Sequence, residues 1–234
     1  MSQQPTISVV IPIYNEAGFM EQALRDLRDQ IADVPADISI MLAENGSTDG
    51  TPQLAARLAD EWDALEWLHI DEPDYGGAMR EGFLASTGEW VVNFDIDYFS
   101  ADFLAHVATA VDADVILASK RAAGSEDRRS VLRRLGTWGF NLVLRLTLGS
   151  GVSDTHGIKA VRREVVDEIA PLVVSRKDLF DTELVIRAEK AGWRIREIPV
   201  VVEEKREARS SLLRRVPRTL AGVWRIRRRL ASER

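Results

Sequence analysis

Residues 7–16 read ISVVIPIYNE, an apolar run rich in β-branched residues that ends in a polar segment. A run of this kind predicts a buried strand, placed here at 7–11. Further apolar runs follow within the first 120 residues, and segments with helical periodicity, such as 17–31, lie between them. This alternation predicts an α/β fold in which a mostly parallel central sheet carries helices on both faces. The further strands are predicted at 38–43, 65–70, 90–94 and 115–119.

The alternation stops after residue 119, and a linker-like stretch follows at 122–127. One helix is predicted over 130–148, and its apolar side has two interpretations: it packs on the core, or it lies at an interface. Earlier in the chain, Thr51 and Pro52 predict the N-cap and the first residue of a helix. The remaining predicted elements are a strand at 158–161, a helix at 180–190 and strands near 195 and at 200–202.

The composition is that of a globular protein, with 45% hydrophobic and 29% charged residues. Cysteine is absent, which excludes disulfides, thiolate metal sites and cysteine nucleophiles. No apolar run approaches the roughly 18 residues that a membrane span requires. The first residues also lack the basic end of a signal peptide, so a cytoplasmic location is expected.

The charge is distributed unevenly along the chain. Residues 206–234 contain ten Arg and two Glu, a balance of +8, whereas the first 205 residues carry −14. This division predicts a main domain over 1–205 and a basic amphipathic tail over 206–234. An acidic body argues against nucleic acid, and the basic tail favours an anionic membrane surface, unless its apolar side packs on the domain. That apolar side consists of Leu212, Val216, Leu220, Val223, Trp224 and Leu230.

Polar segments follow three of the predicted strands, at 12–16, 44–51 and 95–97. The carboxyl ends of parallel strands form the edge of the sheet where ligands bind. None of these segments is a dinucleotide-binding or P-loop motif, so phosphate must be neutralised differently. Asp95 and Asp97 at this edge suit Mg²⁺ or Mn²⁺, which prefer carboxylate oxygens. A second pair with the same spacing, at 112–114, precedes its strand and therefore lies at the opposite edge.

Four motifs occur together in an order that resembles family 2 glycosyltransferases with the A-type fold. These are VVIPIYNE at 9–16, NGSTDGT at 45–51, DID at 95–97 and SDTHG at 153–157. The resemblance covers residues 7–211 and is nearest to the dolichyl- and polyprenyl-phosphate mannosyl- or glucosyltransferases. It implies that the domain over 1–205 is catalytic. Two departures are Glu44-Asn45, where the family often has Asp-Asp, and Phe99, where it often has Gln.

The resemblance also implies roles for individual residues. On the donor side, Asp95 faces the ribose or diphosphate, Asp97 is the main metal ligand and Glu44 lies near the base. The other residues expected to contact the nucleotide are Pro12, Tyr14, Glu16, Gly76, Gly77 and Arg80.

Phosphate recognition is expected from arginines, because a guanidinium binds phosphate oxygens in bidentate fashion. The resemblance assigns Arg121 and Arg206 to phosphate-contacting positions and Ser210 to the substrate-binding residues. An arginine expected at position 138 is replaced by Trp, so Arg133 or Arg134 would take its role. His156 either contacts the acceptor phosphate or the metal, or is a structural turn residue.

Asp181 and Glu183 occupy the place where relatives that act on hydroxyl groups keep a general base. A lipid phosphate is already anionic near neutral pH, so its attack on the sugar needs no base. Here the two carboxylates are expected to orient the acceptor or arginines instead.

The function predicted is metal-dependent, inverting transfer of a sugar from GDP-mannose or UDP-glucose to a polyprenyl or dolichyl phosphate. The protein would lie peripherally at the cytoplasmic face of the membrane, and a partner protein or membrane subunit is left open. One alternative is a family 2 enzyme that acts on a sugar or small-molecule hydroxyl. Another is a sugar-nucleotide-binding protein or nucleotidyltransferase.

Overall fold

A computed structural model describes residues 4–119, 122, 125–127, 131–155, 157–176, 179–202 and 212–233. In its first half, strands and helices alternate as the apolar runs predict. The elements are β1 (Thr6–Ile13), α1 (Met20–Ile31), β2 (Asp37–Asn45), α2 (Thr51–Glu61), β3 (Leu65–Ile70), α3 (Tyr75–Ala85), β4 (Trp90–Asn93), α4 (Ala101–Ala108) and β5 (Val115–Ser119).

The second half continues with helices of varied length and short strands. Its elements are β6 (Glu126–Asp127), α5 (Val131–Leu148), β7 (Lys159–Arg162), α6 (Arg163–Ile169), a 3-10 turn (Ala170–Leu172), α7 (Phe180–Ala191), β8 (Ile195–Pro199), β9 (Val201–Val202) and α8 (Leu212–Ser232).

Seven strands form the central sheet, in the order β3-β2-β1-β4-β7-β5-β8. Among the described strands of this sheet, only β7 runs antiparallel to its neighbours, β4 and β5, while the other pairings are parallel. The prediction of a mostly parallel α/β sheet is therefore confirmed. Because β7 runs in the opposite direction, its first residue, Lys159, pairs with Asn93 near the end of β4.

Helices cover both faces of the sheet, so both faces are buried. Successive side chains of β1 point to opposite faces and therefore enter different cores. Val9 and Ile11 join the core beneath α1 and α4, and Val10 joins the core beneath α3, α6 and α7. On the second face α3 lies very close to the sheet. A Cβ at Gly82 would lie 2.5 Å from Val10 Cγ1, so only glycine fits there without a shift.

The helix α5 leaves its predicted apolar stripe largely exposed. Trp138 and Leu146 are 54% and 76% exposed, while Leu144 and Leu148 on the other side are buried. These buried residues pack with Val223 and Ile226 of α8 and with a residue of α7. Among the described residues, no helix has both the length and the apolar character that a membrane span requires.

Two local predictions were wrong. Gly50, not Thr51, occupies the N-cap of α2, because the Asp49 carboxylate accepts from the Thr51 backbone N–H and Thr51 already starts the helix. The linker-like stretch at 122–127 contains β6, which pairs in parallel with β9.

Candidate functional site

The carboxyl ends of β2, β1 and β4 lie side by side, because these three strands are neighbours in the sheet. The polar segments that follow them therefore come together at one edge, as the sequence predicted. On β1, Pro12 lies past the last residue paired with β4, Val10, so its missing N–H breaks no bond on that side. Tyr14, directly after β1, is exposed, and Glu16 is buried.

The loops after β1 and β2 are joined by side-chain hydrogen bonds. The Asn15 carboxamide oxygen accepts from the Thr48 N–H at 2.8 Å, and the Ser47 hydroxyl accepts from the Asn15 N–H at 2.9 Å. The Glu16 N–H donates to the Thr51 hydroxyl at 2.8 Å, and the Asn45 side chain donates to the Ile13 carbonyl. The family-like motifs at 9–16 and 45–51 therefore form one hydrogen-bonded unit at the edge of the sheet.

Gly46 is required by this unit for two reasons. Its φ of +65° lies in the left-handed region, and a Cβ would approach Pro73 within 2.8 Å and the Asp71 carbonyl within 2.9 Å. Asn15 also has a positive φ, of 53°, a conformation that asparagine tolerates better than most residues.

The Glu44 side chain is fully buried and makes contacts within the protein. One oxygen accepts from the Ser47 N–H at 2.7 Å, and the other is hydrogen-bonded to Nδ1 of His69, on the neighbouring strand β3. The Glu44 side chain has no exposed area, whereas 44% of the His69 side chain is exposed. Glu44 therefore holds the loop after β2 and the His69 side chain in place. Of these two side chains, only that of His69 is accessible to a ligand.

The hydrogen bond that His69 makes to the Glu44 carboxylate raises the pKa of His69 above its usual value of 6.5. Because the pKa is raised on folding, the charged pair stabilises the protein fully below pH 6.5, and this stabilisation is lost as the pH rises through the folded-state pKa. We expect the melting temperature to fall as the pH rises from about 6.5 into the alkaline range, and the His69→Gln variant to lack this component. Thermal unfolding of both proteins across the range checks this, and parallel curves would contradict it.

Asp95 and Asp97 lie two and four residues after the end of β4, and they differ in exposure. Asp95 is exposed, Asp97 is half-buried, and Ile96 between them points into the core. Among the described residues, no group of three or more Asp, Glu, His or Cys side chains forms a ready-made metal cage. Two carboxylates still fit Mg²⁺ or Mn²⁺, because these ions commonly complete their coordination with substrate phosphates and water. The donor set thus suits a metal that binds together with a diphosphate.

The second acidic pair, Asp112 and Asp114, lies at the opposite edge of the sheet, as predicted. Asp114 immediately precedes β5 and forms an ion pair with Arg194 at 2.7 Å. Asp112 pairs with Arg196. These carboxylates connect β5 to β8 and take no part in the candidate site.

The segment predicted to approach the nucleotide forms the first turn of α3. Tyr75 is the first residue of this helix, and Gly76, the second, is buried. The Gly77 Cα faces the side chain of Asp74. A helix N-terminus directs backbone N–H groups outward, which suits an anionic ligand. Arg80, one turn later, pairs with Glu81 at 2.6 Å.

Asp181 lies in a buried polar network that includes a residue not singled out in the sequence. One Asp181 oxygen accepts from Lys159 Nζ at 2.8 Å, and the other accepts from the Tyr75 hydroxyl at 3.1 Å. The Lys159 ammonium also donates to Asn93 at 3.2 Å. In the sequence, Lys159 could have been recognised as the single charged residue inside the apolar run at 158–161.

Glu183, paired with Asp181 in the sequence prediction, has a separate environment. It is fully buried and accepts from the Ser175 N–H and from Arg187 Nε, both at 2.8 Å. Arg187 in turn donates to both oxygens of Glu233 at the end of α8. Glu183 therefore belongs to the packing of α7 against α8.

The remaining predicted phosphate contacts are only partly visible. Arg121, His156, Arg206 and Ser210 lie outside the described residues. Arg134 is exposed on α5, and no described contact joins it to the site.

Comparison with known proteins identifies relatives over most of the chain. Residues 8–170 match the family model for glycosyl transferase family 2. Glycosyltransferase AglD of Haloferax volcanii is 33% identical over 222 residues, which are 89% of this chain and 35% of that protein. Polyprenol monophosphomannose synthase of Mycolicibacterium smegmatis is 31% identical over 84% of this chain and 77% of its own length. Dolichyl-phosphate β-glucosyltransferase of Dictyostelium discoideum is 24% identical, covering 94% and 77%.

Solved structures share the fold. A mannosyltransferase from Pyrobaculum calidifontis, in complex with GDP-Man and Mn²⁺, gives a TM-score of 0.64 at 22% identity, over 96% of this chain and 64% of that one. Glucosyl-3-phosphoglycerate synthase from Mycobacterium tuberculosis, with Mn²⁺, UDP and glucosyl-3-phosphoglycerate, gives 0.66 at 20% identity, over 95% and 78%. With the matching motifs at one edge of an A-type glycosyltransferase sheet, the chain belongs to glycosyl transferase family 2.

Proposed function

We propose that this protein transfers a hexose from a nucleotide-diphosphate sugar to a polyprenyl or dolichyl phosphate, with inversion at the sugar carbon. The observation that carries the proposal is the edge formed by β2, β1 and β4, where two interlocked loops adjoin a pair of carboxylates suited to a metal–diphosphate. Two of the relatives above, a polyprenol monophosphomannose synthase and a dolichyl-phosphate β-glucosyltransferase, support a lipid-linked phosphate as acceptor. GDP-mannose and UDP-glucose are the candidate donors.

The chain's own residues divide the work of binding and catalysis. Tyr14, Pro12 and the interlocked loops would enclose the nucleoside, and the N-terminus of α3 would face the phosphates. Asp95 and Asp97 would hold Mg²⁺ or Mn²⁺, which neutralises the charge of the departing diphosphate. Arg121, Arg206 and Ser210 are proposed to bind phosphate oxygens, with Arg134 and His156 on the acceptor side. Positioning of an acceptor that is already anionic then replaces general-base catalysis.

Incubation with a panel of nucleotide sugars and a short polyprenyl phosphate, followed by mass spectrometry, tests this function. We expect one hexosyl-phosphoprenol product, formed only when Mg²⁺ or Mn²⁺ is present. Glycosylation of a sugar or small-molecule hydroxyl in place of the lipid phosphate would favour the other acceptor class. Formation of a sugar nucleotide from a nucleoside triphosphate would identify a nucleotidyltransferase.

We further propose that the protein binds peripherally to an anionic membrane at the cytoplasmic face. The difference between the two sides of α8 supports this proposal, because one side packs on the protein and the other is exposed. Val223 and Ile226 are buried against α5, whereas Trp224 is 58% exposed, beside an arginine-rich surface. Arg228 lies over the Trp224 ring at 4.8 Å. An exposed Trp among arginines suits the headgroup region of a bilayer, and each basic residue near anionic lipid contributes about 1 kcal/mol.

Replacement of Leu220 or Trp224 by Glu is expected to lower binding to anionic liposomes by about ten- to a hundredfold, because each loses apolar burial worth about 1.5–3 kcal/mol. Both side chains are exposed, so the fold should be retained. Flotation with phosphatidylglycerol vesicles at low and high salt measures the effect, and high salt should weaken wild-type binding.

Val111→Glu is the matched control for this experiment. Val111 is 84% exposed in the segment before β5, at the opposite edge of the sheet. This variant should float like the wild type. Equal losses in all three variants, or none in any, would contradict membrane binding through α8.

A further inference from the structure

Lys159 has an unusual environment for a lysine, since its side chain is 1% exposed in the middle of the sheet. It starts β7 between Asn93 of β4 and Leu117 of β5. The neighbouring strands end where this antiparallel strand begins, so the ammonium lies at the same edge as the candidate site. A buried lysine is retained only when its charge and its N–H groups find partners.

The Lys159 ammonium has three acceptors, which match its three N–H donors. These are Asn93 Oδ1 at 3.2 Å, the Gly157 carbonyl at 2.8 Å and Asp181 Oδ1 at 2.8 Å. It thereby connects the end of β4, two residues before Asp95, to the start of α7. With its donors engaged in this way, Lys159 is suited to holding protein groups in place rather than to binding a substrate phosphate.

Asp181 uses its other oxygen to accept from the Tyr75 hydroxyl at 3.1 Å. Tyr75 is the first residue of α3, and the N-terminal turn of this helix is proposed above to face the donor phosphates. A T-shaped contact between the Phe83 and Phe180 rings, 5.7 Å apart, joins the same two helices. The orientation of the α3 N-terminus is thus tied through Asp181 to Lys159.

We propose that Lys159 is a positioning residue that holds Asp181 as the acceptor for the Tyr75 hydroxyl, so that Asp181 takes no proton during transfer. Both Asp181 oxygens are engaged as acceptors, one from the buried Lys159 ammonium and one from the Tyr75 hydroxyl. Without the Asp181 charge the ammonium would be buried with no counter-charge, which is strongly unfavourable. Asp181 therefore orders the donor side of the site although it stands where a general base is expected. The inference rests on the proposed function, because it concerns how the same site binds its donor.

The test compares Tyr75→Phe, Asp181→Asn and Lys159→Met in the full chain. Binding of GDP and of UDP in the presence of Mn²⁺ is measured by calorimetry, and hexosyl transfer is measured across pH. We expect each variant to weaken binding of the preferred nucleotide about tenfold and to raise the donor KM similarly, with a smaller effect on kcat. The pH profile of kcat should keep its shape in Asp181→Asn.

The opposite pattern would overturn the proposal. General-base catalysis predicts that Asp181→Asn leaves nucleotide binding unchanged, lowers kcat by about 10³-fold and removes the acidic limb of the pH profile. Unchanged nucleotide binding in Tyr75→Phe would also contradict it. Tyr75→Phe removes only a hydroxyl and should fold, so the test stands even if Lys159→Met does not. Nucleotide binding needs no acceptor, so failure of the proposed lipid acceptor is recognised separately.

Discussion

Replacement of Asp97 by Asn is expected to reduce metal-dependent sugar transfer by about 10³-fold, the largest effect on activity that we predict. Asp97 follows β4 at the carboxyl edge of the sheet and is half-buried beside Ile96. If Asp97 holds the metal as proposed, loss of its negative charge would weaken metal binding and thus the electrostatic stabilisation of the departing diphosphate, an effect worth several kcal/mol. A free-energy loss of about 4 kcal/mol corresponds to this fold-change.

Asp114→Asn is the matched control, because Asp114 belongs to a pair with the same spacing at the other edge of the sheet. The Arg194 side chain of its ion pair is 62% exposed, so solvent screens much of the interaction, which contributes about 1 kcal/mol to stability. Activity should stay within about twofold of the wild type. Initial rates over a Mn²⁺ titration measure both variants, with circular dichroism to verify folding. Equal losses in two folded variants would refute the assignment of the metal site to Asp97.

Replacement of Arg187 by Met is expected to lower the free energy of unfolding by about 3–5 kcal/mol, the largest effect on stability that we predict. The Arg187 side chain is 4% exposed, and its partner Glu183 is fully buried. Removing the guanidinium therefore leaves a carboxylate buried without its counter-charge. The bidentate contact from Arg187 to Glu233 is lost as well, which detaches the end of α8 from α7.

The Glu233→Gln variant distinguishes the contribution of the Arg187–Glu233 pair from that of the buried Arg187–Glu183 pair. Arg187 lowers the pKa of Glu233 through their hydrogen bonds, but the Glu233 side chain is 43% exposed, so solvent screens much of the interaction. We expect a loss below about 1 kcal/mol in this variant. Urea unfolding gives both values, and a loss in Arg187→Met no larger than that in Glu233→Gln would show that burial of Glu183 does not depend on its pair.

The sequence alone was sufficient to predict the alternating elements and the edge of the sheet where the polar segments meet. Strands such as β1 are recognised from a local apolar run, and α1 from the 3.6-residue spacing of its apolar residues. The parallel order then fixes which edge carries the polar segments. Asp97 is for this reason distinguishable from Asp114 by sequence, because the difference between them is their place relative to a strand.

The long-range partners of the charged groups were decided only by the tertiary structure, whereas Glu183 and Arg187 lie one helical turn apart on α7. Lys159 meets Asp181 because β7 runs antiparallel beside β4, and Arg187 meets Glu233 because α8 folds back onto α7. The same packing buries some apolar residues of α8, such as Val223, and leaves others, such as Trp224, exposed. Helical spacing alone had assigned all of these residues to one face. Contacts of this kind join residues far apart in the chain, so no local spacing contains them, and they form only when the sheet order brings those residues together.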